Sequence, residues 1–388
     1  MDEIEIKEDI KNEVSVSVRR LVEFVLRSGD IVAGGIGYKP DMQEGTRIHR
    51  KIQKAAGENY KAEVRLSYTR EYESLKLTVQ GIADGIIEEE IGVTIDEIKS
   101  TAVPLDQIET DFNKLHWAQA LCYAFIYSKE NSIKNINVRL TYYQIETQEI
   151  KYIINTYEYE TLEKFFYDLT DSFFQWAEWE ASHLKKRNDS IINLSFPFPS
   201  FRPGQREMAG NVYRVIKNKN ILFAQASTGI GKTVSTLFPS LKAMGEGHGE
   251  KIFYLTAKTV AKAVAEASLL KMTKTGLETC SVTLTSKEKI CEYSKKCHPD
   301  TCPFSKGHFD RVNQAIFDII NNEINITEDK ILEYSKKHNV CPFEFSLDTA
   351  EWADVIICDY NYVLWSTEAE KCFQQSYTRK SFWNVQEA

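Results

Sequence analysis

The stretch ASTGIGKT, residues 226–233, follows the apolar run ILFAQ (residues 221–225) and precedes TVSTLFPSLKAM, which has the composition of a helix. A glycine-rich turn between a strand and a helix directs main-chain N–H groups toward an anion. In such a turn Lys232 is placed to reach the β and γ phosphates of a nucleotide, and Thr233 to hold Mg²⁺. We therefore expect a nucleotide to be bound by Ser227, Thr228, Gly229, Ile230, Gly231, Lys232 and Thr233. The alternative is a turn that only joins a strand to a helix.

Short apolar runs continue beyond this turn. KIFYLT (residues 251–256) and DVIICDY (residues 354–360), like ILFAQ, are of the kind that fills a parallel sheet covered on both faces. Helix-like segments separate them. Residues 205–388 therefore predict an α/β lobe built on a parallel sheet.

Chain length and a proline-rich segment indicate two domains. A chain of 388 residues exceeds what one hydrophobic core usually organises. NLSFPFPSFRPGQ holds three of the nine prolines, which fix φ and remove backbone donors, so it predicts an extended linker. We place a first domain at residues 1–190, the linker at 191–204 and the second domain at 205–388. The first domain follows the order helix, strands, helix, strands, which predicts another α/β fold.

The net charge of −8 is unevenly spread along the chain. Residues 1–200 carry 24 basic and 34 acidic side chains, whereas residues 201–388 carry 24 and 22. Nucleic-acid contact depends on where basic groups cluster, so the total charge does not exclude DNA as a partner. No apolar run reaches the roughly 18 residues that cross a bilayer, and the acidic start is unlike a secretory signal. We expect no membrane association and a cytoplasmic location, where the eight cysteines stay reduced and favour metal binding over disulfides.

Four of the cysteines form a cluster in the second domain. They are spaced C-x5-C-x4-C-x38-C and are Cys291, Cys297, Cys302 and Cys341. Four thiolates satisfy either tetrahedral Zn²⁺ or a [4Fe–4S] cluster. Spacing alone does not separate the two, and four unrelated thiols are the remaining alternative.

The first domain contains an acidic pattern of a different kind. Asp84 on one predicted strand, with Glu97 and Lys99 on the next, gives D-x12-E-x-K. Strand periodicity puts Glu97 and Lys99 on one face, and hairpin pairing brings Asp84 beside them. Two carboxylates can hold Mg²⁺ or Mn²⁺ while the lysine orients an attacking water. The pattern indicates a metal-dependent catalytic site; the alternative is an ordinary charged hairpin.

The second domain resembles the first motor lobe of the DinG and XPD helicases. The resemblance rests on FRPGQ, on the glycine-rich turn, on SKEKIC before the first clustered thiol and on CPFEFSLDTAEWADVIICDYNYVL after the third. It implies an ATP-dependent DNA helicase used in DNA repair or processing. Gln205 would read the adenine, and the four cysteines would hold a [4Fe–4S] cluster in an insert at residues 287–345. The implied partner is DNA that is single-stranded or has a single-stranded tail.

The first domain resembles the RecB-type branch of the PD-(D/E)xK nucleases. GTRIH, which ends at His49, lies upstream of Asp84. QALCY lies downstream, where i,i+4 spacing puts its Gln119 and Tyr123 on one helix face. The resemblance implies that His49 joins Asp84 and Glu97 as a metal ligand and that the Gln/Tyr helix flanks the site. A nuclease fold that has lost activity is the alternative.

The helicases that the second domain resembles also need a DEAH box and a second lobe with arginine fingers. No D-E-x-H sequence follows DYNYVL. We expect from this a truncated or frameshifted reading frame whose lobe binds ATP without coupled hydrolysis. Two rival functions are a non-hydrolysing ATP- and DNA-binding module, and a metal-dependent nuclease with a vestigial motor. The sequence does not indicate an oligomeric state.

Overall fold

A computed structural model describes residues 12–32, 42–90, 92–227, 229–256, 258–293, 297–364 and 381–386. The chain divides into two compact units, one formed by Met1–Arg27 with Gly34–Ala181 and the other by Ser28–Ala33 with Ser182–Ala388. Within the described ranges, no helix combines the length and the apolar character that crossing a bilayer requires.

The first unit is a six-stranded mixed sheet packed against helices. Its strands are β1 Asn12–Ser17, β2 Tyr60–Glu71, β3 Leu75–Glu89, β4 Gly92–Thr101, β5 Asn135–Gln144 and β6 Ile150–Glu158. Its helices are α1 Val18–Val25, α2 Met42–Ala55, α3 Lys114–Asn131 and the start of α4 Tyr159–Asn193, with a 3₁₀ turn at Leu105–Gln107.

Strand β3 is central to this sheet because it is long enough to pair with three other strands. The strand order is β1-β3-β4-β5-β6, and β2 pairs with β3 along its other edge. Residues 75–80 of β3 pair with β1 in parallel, and residues 85–89 pair with β4 in antiparallel fashion. Among the described strands, residues 81–84 therefore have no ladder partner on that edge. This gap includes Asp84, one of the predicted catalytic residues.

The core of the first unit forms where alternating strand residues meet α3 and α4. Leu75, Leu77 and Val79 of β3 are fully buried, as the two-residue repeat of a half-covered strand requires. The rings of Phe125 on α3 and Phe166 on α4 stack with centroids 4.4 Å apart. Aromatic packing of this kind fixes α3, which carries part of the candidate site, over the sheet.

The second unit is built around a five-stranded parallel sheet, and the predicted mixed α/β fold with parallel strands is confirmed. Its strands are β7 Lys251–Thr256, β8 Ser281–Thr283, β9 Asn325–Ile326, β10 Val355–Cys358 and β11 Ser381–Gln386, in the order β11-β7-β10-β8-β9. Its helices are α5 Gln205–Lys217, α6 Lys232–Gly245, α7 Thr259–Thr273, α8 Lys287–Ile290, α9 His308–Asn322, α10 Glu328–His338, α11 Pro342–Ala350 and α12 Asn361–Leu364.

The strand predicted for ILFAQ is wrong. Residues 221–227 form no strand, and the side chains of Ile221 and Phe223 are 83% and 95% exposed. Both edges of β7 are already paired, one with β10 and the other with β11. An apolar run becomes a strand only when a neighbour supplies hydrogen bonds, and this segment pairs with none of the described strands. The runs KIFYLT and DVIICDY do form the strands that were expected, β7 and β10.

A buried carboxylate holds the second unit's sheet against the end of α4. Asp354 is 4% exposed and accepts hydrogen bonds from His183 Nε2 at 2.7 Å, Arg187 Nη1 at 2.8 Å and Cys280 N at 2.9 Å. Burial by itself raises a carboxyl pKa, but His183 and Arg187 outweigh it and hold the pKa of Asp354 below its ordinary value. The network therefore stabilises the ionised form of a group that sits just before β10.

We expect Asp354→Ala to lower the free energy of unfolding of the second unit by about 3–5 kcal/mol, because it leaves the buried Arg187 without its counter-charge. The contribution is complete above the unfolded pKa of about 3.9 and is lost as the pH falls through the lower folded pKa. Urea titration followed by tryptophan fluorescence measures the change at pH 7. The control Glu278→Ala, at an exposed site, should change it by no more than about 0.5 kcal/mol. A loss below about 1 kcal/mol for Asp354→Ala would contradict this view of the network.

Candidate functional site

Asp84 lies where the ladders of the first unit's sheet are interrupted. The pairing of β2 with β3 skips Glu63 and Asp84, and Glu63 has a φ of 54°. The ladder between β3 and β4 ends at Gly85 and Asp96. Local irregularities of this kind redirect side chains and are frequent beside active sites. Here the Asp84 carboxylate turns to β4, where its Oδ2 accepts a hydrogen bond from Ile98 N at 2.8 Å.

Glu97 is a buried carboxylate with one unsatisfied oxygen. Its side chain is 2% exposed, and Oε1 accepts a hydrogen bond from Lys99 Nζ at 2.7 Å. Its Oε2 is buried and accepts no hydrogen bond from the part of the chain that the structure describes. Burial raises the pKa of Glu97 to about 7; the Lys99 ammonium opposes this effect and the Asp84 carboxylate adds to it. A charge-bearing oxygen in this state is suited to a cation.

Helix α2 brings His49 to the same place. His49 Nδ1 lies 3.1 Å from Asp84 Oδ1. Burial tends to lower the pKa of His49, but the hydrogen bond and charge of Asp84 outweigh it and raise that pKa. One turn further along α2, Gln53 Nε2 donates to the main-chain oxygen of Asp84 at 2.9 Å. Sequence reasoning missed Gln53, although its i,i+4 spacing from His49 was the available signal.

Helix α3 provides a second hydrogen-bond partner for Lys99. Lys99 Nζ donates to Gln119 Oε1 at 3.1 Å as well as to Glu97. Burial, with the neighbouring Glu97 charge, raises the pKa of the Tyr123 phenol far above its ordinary value. A Cβ added at Gly81 would lie 2.6 Å from Tyr123 Oη, so this glycine leaves the room that the ring occupies. The predicted proximity of Gln119 and Tyr123 to the acidic pattern is present in the structure.

His116, a residue that the sequence did not single out, lies on the same side of α3. Asn113 Oδ1 accepts a hydrogen bond from Leu115 N, so its Nδ2 donates to His116 Nε2 at 3.2 Å. The remaining ring nitrogen, Nδ1, then carries the proton and donates to Tyr142 Oη at 2.9 Å. Burial, together with the charge of Lys99, lowers the pKa of His116 to about 3. The histidine is therefore a neutral neighbour of Lys99.

Asp96 directly precedes Glu97 but has a different environment. It is fully buried, and Arg139 binds it through Nε and Nη2, each at 2.9 Å. Tyr60 Oη donates to Oδ2 at 2.9 Å and Thr141 Oγ1 to Oδ1 at 2.5 Å. A Cβ at Gly85 would collide with Tyr60. Asp96 is thus a satisfied structural carboxylate, whereas its neighbour keeps an open coordination position.

The first unit therefore brings together every residue of the predicted acidic site: His49, Asp84, Glu97, Lys99, Gln119 and Tyr123. Within the described ranges, no three His, Cys, Asp or Glu side chains have the geometry of a metal site. Lys99 instead forms an ion pair with Glu97, while His49 and the main-chain N–H of Ile98 are the partners of Asp84. The feature of these residues that best suits a divalent cation is the unpartnered Oε2 of Glu97.

The glycine-rich turn of the second unit begins α6. Gly229 and Gly231 have φ values of 85° and 86°, a region that favours glycine. No side chain caps α6, so its first N–H groups remain directed at the turn. Lys232 Nζ donates back to Ala226 O at 3.0 Å, and Thr233 Oγ1 accepts from Tyr254 Oη at 3.4 Å. Thr228 lies outside the described residues.

Residues ahead of α5 contact the turn directly. Gln205 Nε2 donates to Gly231 O at 3.4 Å, while its Oε1 accepts from Arg202 N at 2.9 Å. The Arg202 guanidinium donates to Gly229 O. Of these two residues the sequence predicted only Gln205. Ser227 and Gly229 are exposed, Ile230 is half-buried and Thr233 is buried, so exposure decreases along the described residues of the turn.

Three of the four clustered cysteines line one small cavity. Cys291 follows α8, Cys341 precedes α11, and both line a cavity together with Cys302. Cys297 interacts electrostatically with Cys291 and is hydrogen-bonded to Lys287. All four are free thiols, two of them buried. Sulfur is the donor type that zinc and [4Fe–4S] clusters take, but the four thiols are not arranged as a metal site within the described ranges.

Comparisons with known proteins concern mainly the second unit. Residues 255–379 match the DEAD_2 family. A curated protein of Methanocaldococcus jannaschii described as "Probable ATP-dependent helicase" is 44% identical over 50 residues, which is 13% of this chain and 8% of that protein. The alignment thus spans a small part of the relative's length.

Two solved structures with related titles overlap the chain as well. "XPD_Helicase" matches 48% of this chain and 32% of its own at 15% identity and a TM-score of 0.34. "Truncated XPD" matches 42% and 46% at 19% identity and a TM-score of 0.32. Scores of this size carry no argument about the fold. The DEAD_2 match lies entirely within the second unit.

Proposed function

We propose that the chain joins the ATP-binding lobe of a DinG/XPD-type iron–sulfur DNA helicase to a metal-dependent DNA nuclease domain acting in DNA repair or processing. One observation carries the proposal: the DEAD_2 match begins at residue 255, just after a helix that starts at Lys232 of a glycine-rich turn. The phosphate-binding turn thus precedes the segment that matches DEAD_2, which is the order that a helicase motor needs. The DNA we propose is single-stranded or has a single-stranded tail.

The geometry of the turn supports the proposed roles in the motor lobe. The open N–H groups of α6 would bind phosphate oxygens, Lys232 would leave the Ala226 carbonyl to reach the β and γ phosphates, and Thr233 would hold Mg²⁺. Gln205, already bound to the turn, reads the adenine. Strand separation driven by hydrolysis requires closure between two lobes. A lone lobe acting only as an ATP- and DNA-binding module is therefore the first rival.

The cysteine cluster is the proposed iron–sulfur site. Cys291, Cys297, Cys302 and Cys341 would hold a [4Fe–4S] cluster, which supplies a rigid cross-link and a redox centre. Lys287 beside Cys297 offsets part of the negative charge of the thiolates. Zinc held by the same four sulfurs is the competing assignment.

Two sets of hydrogen bonds support the nuclease chemistry. One set joins His49 and the main chain of β4 to Asp84. The other joins Glu97 and Gln119 to Lys99. His49, Asp84 and Glu97 would hold Mg²⁺ or Mn²⁺, which lowers the pKa of a bound water and stabilises charge on the phosphate. Lys99 orients the attacking water. A nuclease with a vestigial motor is the second rival.

Lys232→Ala should weaken binding of a fluorescent ATP analogue by about ten- to a hundredfold, because a charged hydrogen-bond donor to phosphate contributes about 1.5–3 kcal/mol. Fluorescence titration in the presence of Mg²⁺ measures the dissociation constant. Lys274→Ala, at an exposed lysine just after α7, should leave it unchanged. Equal affinity of Lys232→Ala and the unmodified chain would contradict a phosphate-binding turn. ATP hydrolysis with and without single-stranded DNA separates a motor from a binding module.

Asp84→Ala and Lys99→Ala should each reduce Mn²⁺-dependent cleavage of a labelled single-stranded oligonucleotide on the order of 10² to 10⁴-fold. Glu97→Gln should abolish cleavage without lowering the thermal midpoint, because it replaces a buried acid whose charged form is disfavoured. The exposed Glu90→Gln and Lys232→Ala in the second unit serve as controls and should cleave normally. Full activity in Asp84→Ala would refute the nuclease assignment.

Anaerobically purified protein should be brown and contain about four irons per chain. Cys302→Ser should remove the colour and the iron, whereas Cys122→Ala, at a buried thiol in the first unit, should retain both. Visible absorption and metal analysis provide the readout. Colourless protein with one zinc would replace the iron–sulfur assignment by a zinc site.

A further inference from the structure

Strand β6 is an open edge of the first unit's sheet. Among the described strands it pairs only with β5. Three large apolar side chains share one of its faces, Ile150, Tyr152 and Ile154, which are 39%, 52% and 55% exposed. Exposed edges are usually protected by charges, prolines or bulges, because they are templates for another strand. The outward row of β6 carries none of these from residue 150 to residue 154.

The hydrogen-bonding groups of the same three residues point to the open edge. On the β5 side, Gln144 N donates to Glu149 O, which places Glu149 among the residues that face β5. Main-chain groups alternate between the two edges of a strand. Ile150, Tyr152 and Ile154 therefore direct their N–H and C=O groups away from β5, toward any strand that adds there.

The exposed row is symmetric about its centre. Read in either direction, it is Ile, Tyr, Ile at alternate positions, with Tyr152 in the middle. We propose that a second copy of this chain adds antiparallel to β6 about a two-fold axis at Tyr152. Tyr152 then lies opposite Tyr152 of the second copy, and Ile150 opposite Ile154, with about six main-chain hydrogen bonds between the copies.

Charged side chains beside the row already have partners within each copy. The Arg139 guanidinium stacks on the Tyr152 ring at 4.8 Å and is paired with Asp96. Lys151 Nζ is held by the carbonyl oxygens of Leu105 and Ile108 at 2.9 and 2.7 Å. Two copies therefore meet through apolar side chains without opposing free cations. Cross-strand aromatic and β-branched pairs stabilise such a sheet.

Acidic side chains near Tyr152 favour a second copy of the chain over nucleic acid as the partner of β6. Glu109 and Asp111 line an open groove that also includes Tyr152. Carboxylates at that position repel a phosphate backbone, so Tyr152 is poorly placed to stack on a nucleotide. A single strand pair makes a small interface, for which a dissociation constant on the order of micromolar is typical of transient association.

Sedimentation velocity of the full chain from 1 to about 100 micromolar tests the pairing in the range expected for a transient interface. Two double variants sharpen the test: Ile150→Lys with Ile154→Lys, and Ile150→Glu with Ile154→Glu. In the proposed register residue 150 of one copy faces residue 154 of the other. Each double variant therefore places like charges opposite each other and should be monomeric, whereas an equimolar mixture should restore the dimer. Circular dichroism verifies that both remain folded.

The matched control is Ile82→Lys, at an equally exposed isoleucine of β3. It should dimerise like the unmodified chain. The proposal is overturned if the unmodified chain stays monomeric over the whole range, if the double variants dimerise as it does, or if their mixture stays monomeric. Mixture-specific recovery shows that residues 150 and 154 of one copy face residues 150 and 154 of the other, since only these positions differ between the two variants.

Discussion

The first unit depends on how β4 distributes two consecutive carboxylates to opposite faces of the sheet. Asp96 meets Arg139, Thr141 and Tyr60, so its charge ties three strands together. Glu97 points the other way and receives a hydrogen bond at only one oxygen. Strand alternation makes this division unavoidable. Asp96 therefore stabilises the sheet, whereas burying Glu97 costs free energy that its single hydrogen bond does not offset.

That penalty is tolerated because rigid elements surround Glu97. Lys99 shares its strand, and Asp84 enters through the interrupted ladder of β3. Helix α2 fixes Asp84 twice, through His49 at its carboxylate and through Gln53 at its main chain. A site assembled on strands and helices keeps its geometry better than one on loops. These elements therefore keep Glu97 buried, although its Oε2 accepts no hydrogen bond within the described residues.

Local periodicity was sufficient to predict much of this site and insufficient for the rest. Two-residue spacing placed Glu97 with Lys99, and i,i+4 spacing placed Gln119 with Tyr123. The skipped Glu63–Asp84 pair and the Asp96 network depend on partners distant in sequence, which no local pattern reveals. The same reason explains ILFAQ: its apolar residues satisfy the composition of a strand, but the edges of β7 belong to other strands.

The two buried polar centres of the second unit differ in what balances their charge. Asp354 has Arg187 and His183 beside it, so the sheet around it is neutral without any ligand. The cysteine cavity has Cys302 and Cys341 each 5% exposed, with Lys287 as the cation near Cys297. Burial raises the pKa of the Cys291 and Cys341 thiols, so these sulfurs stay protonated and neutral as long as no cation binds them. The cysteine cavity therefore avoids buried charge through protonation, whereas the sheet around Asp354 keeps a charge and balances it with an ion pair.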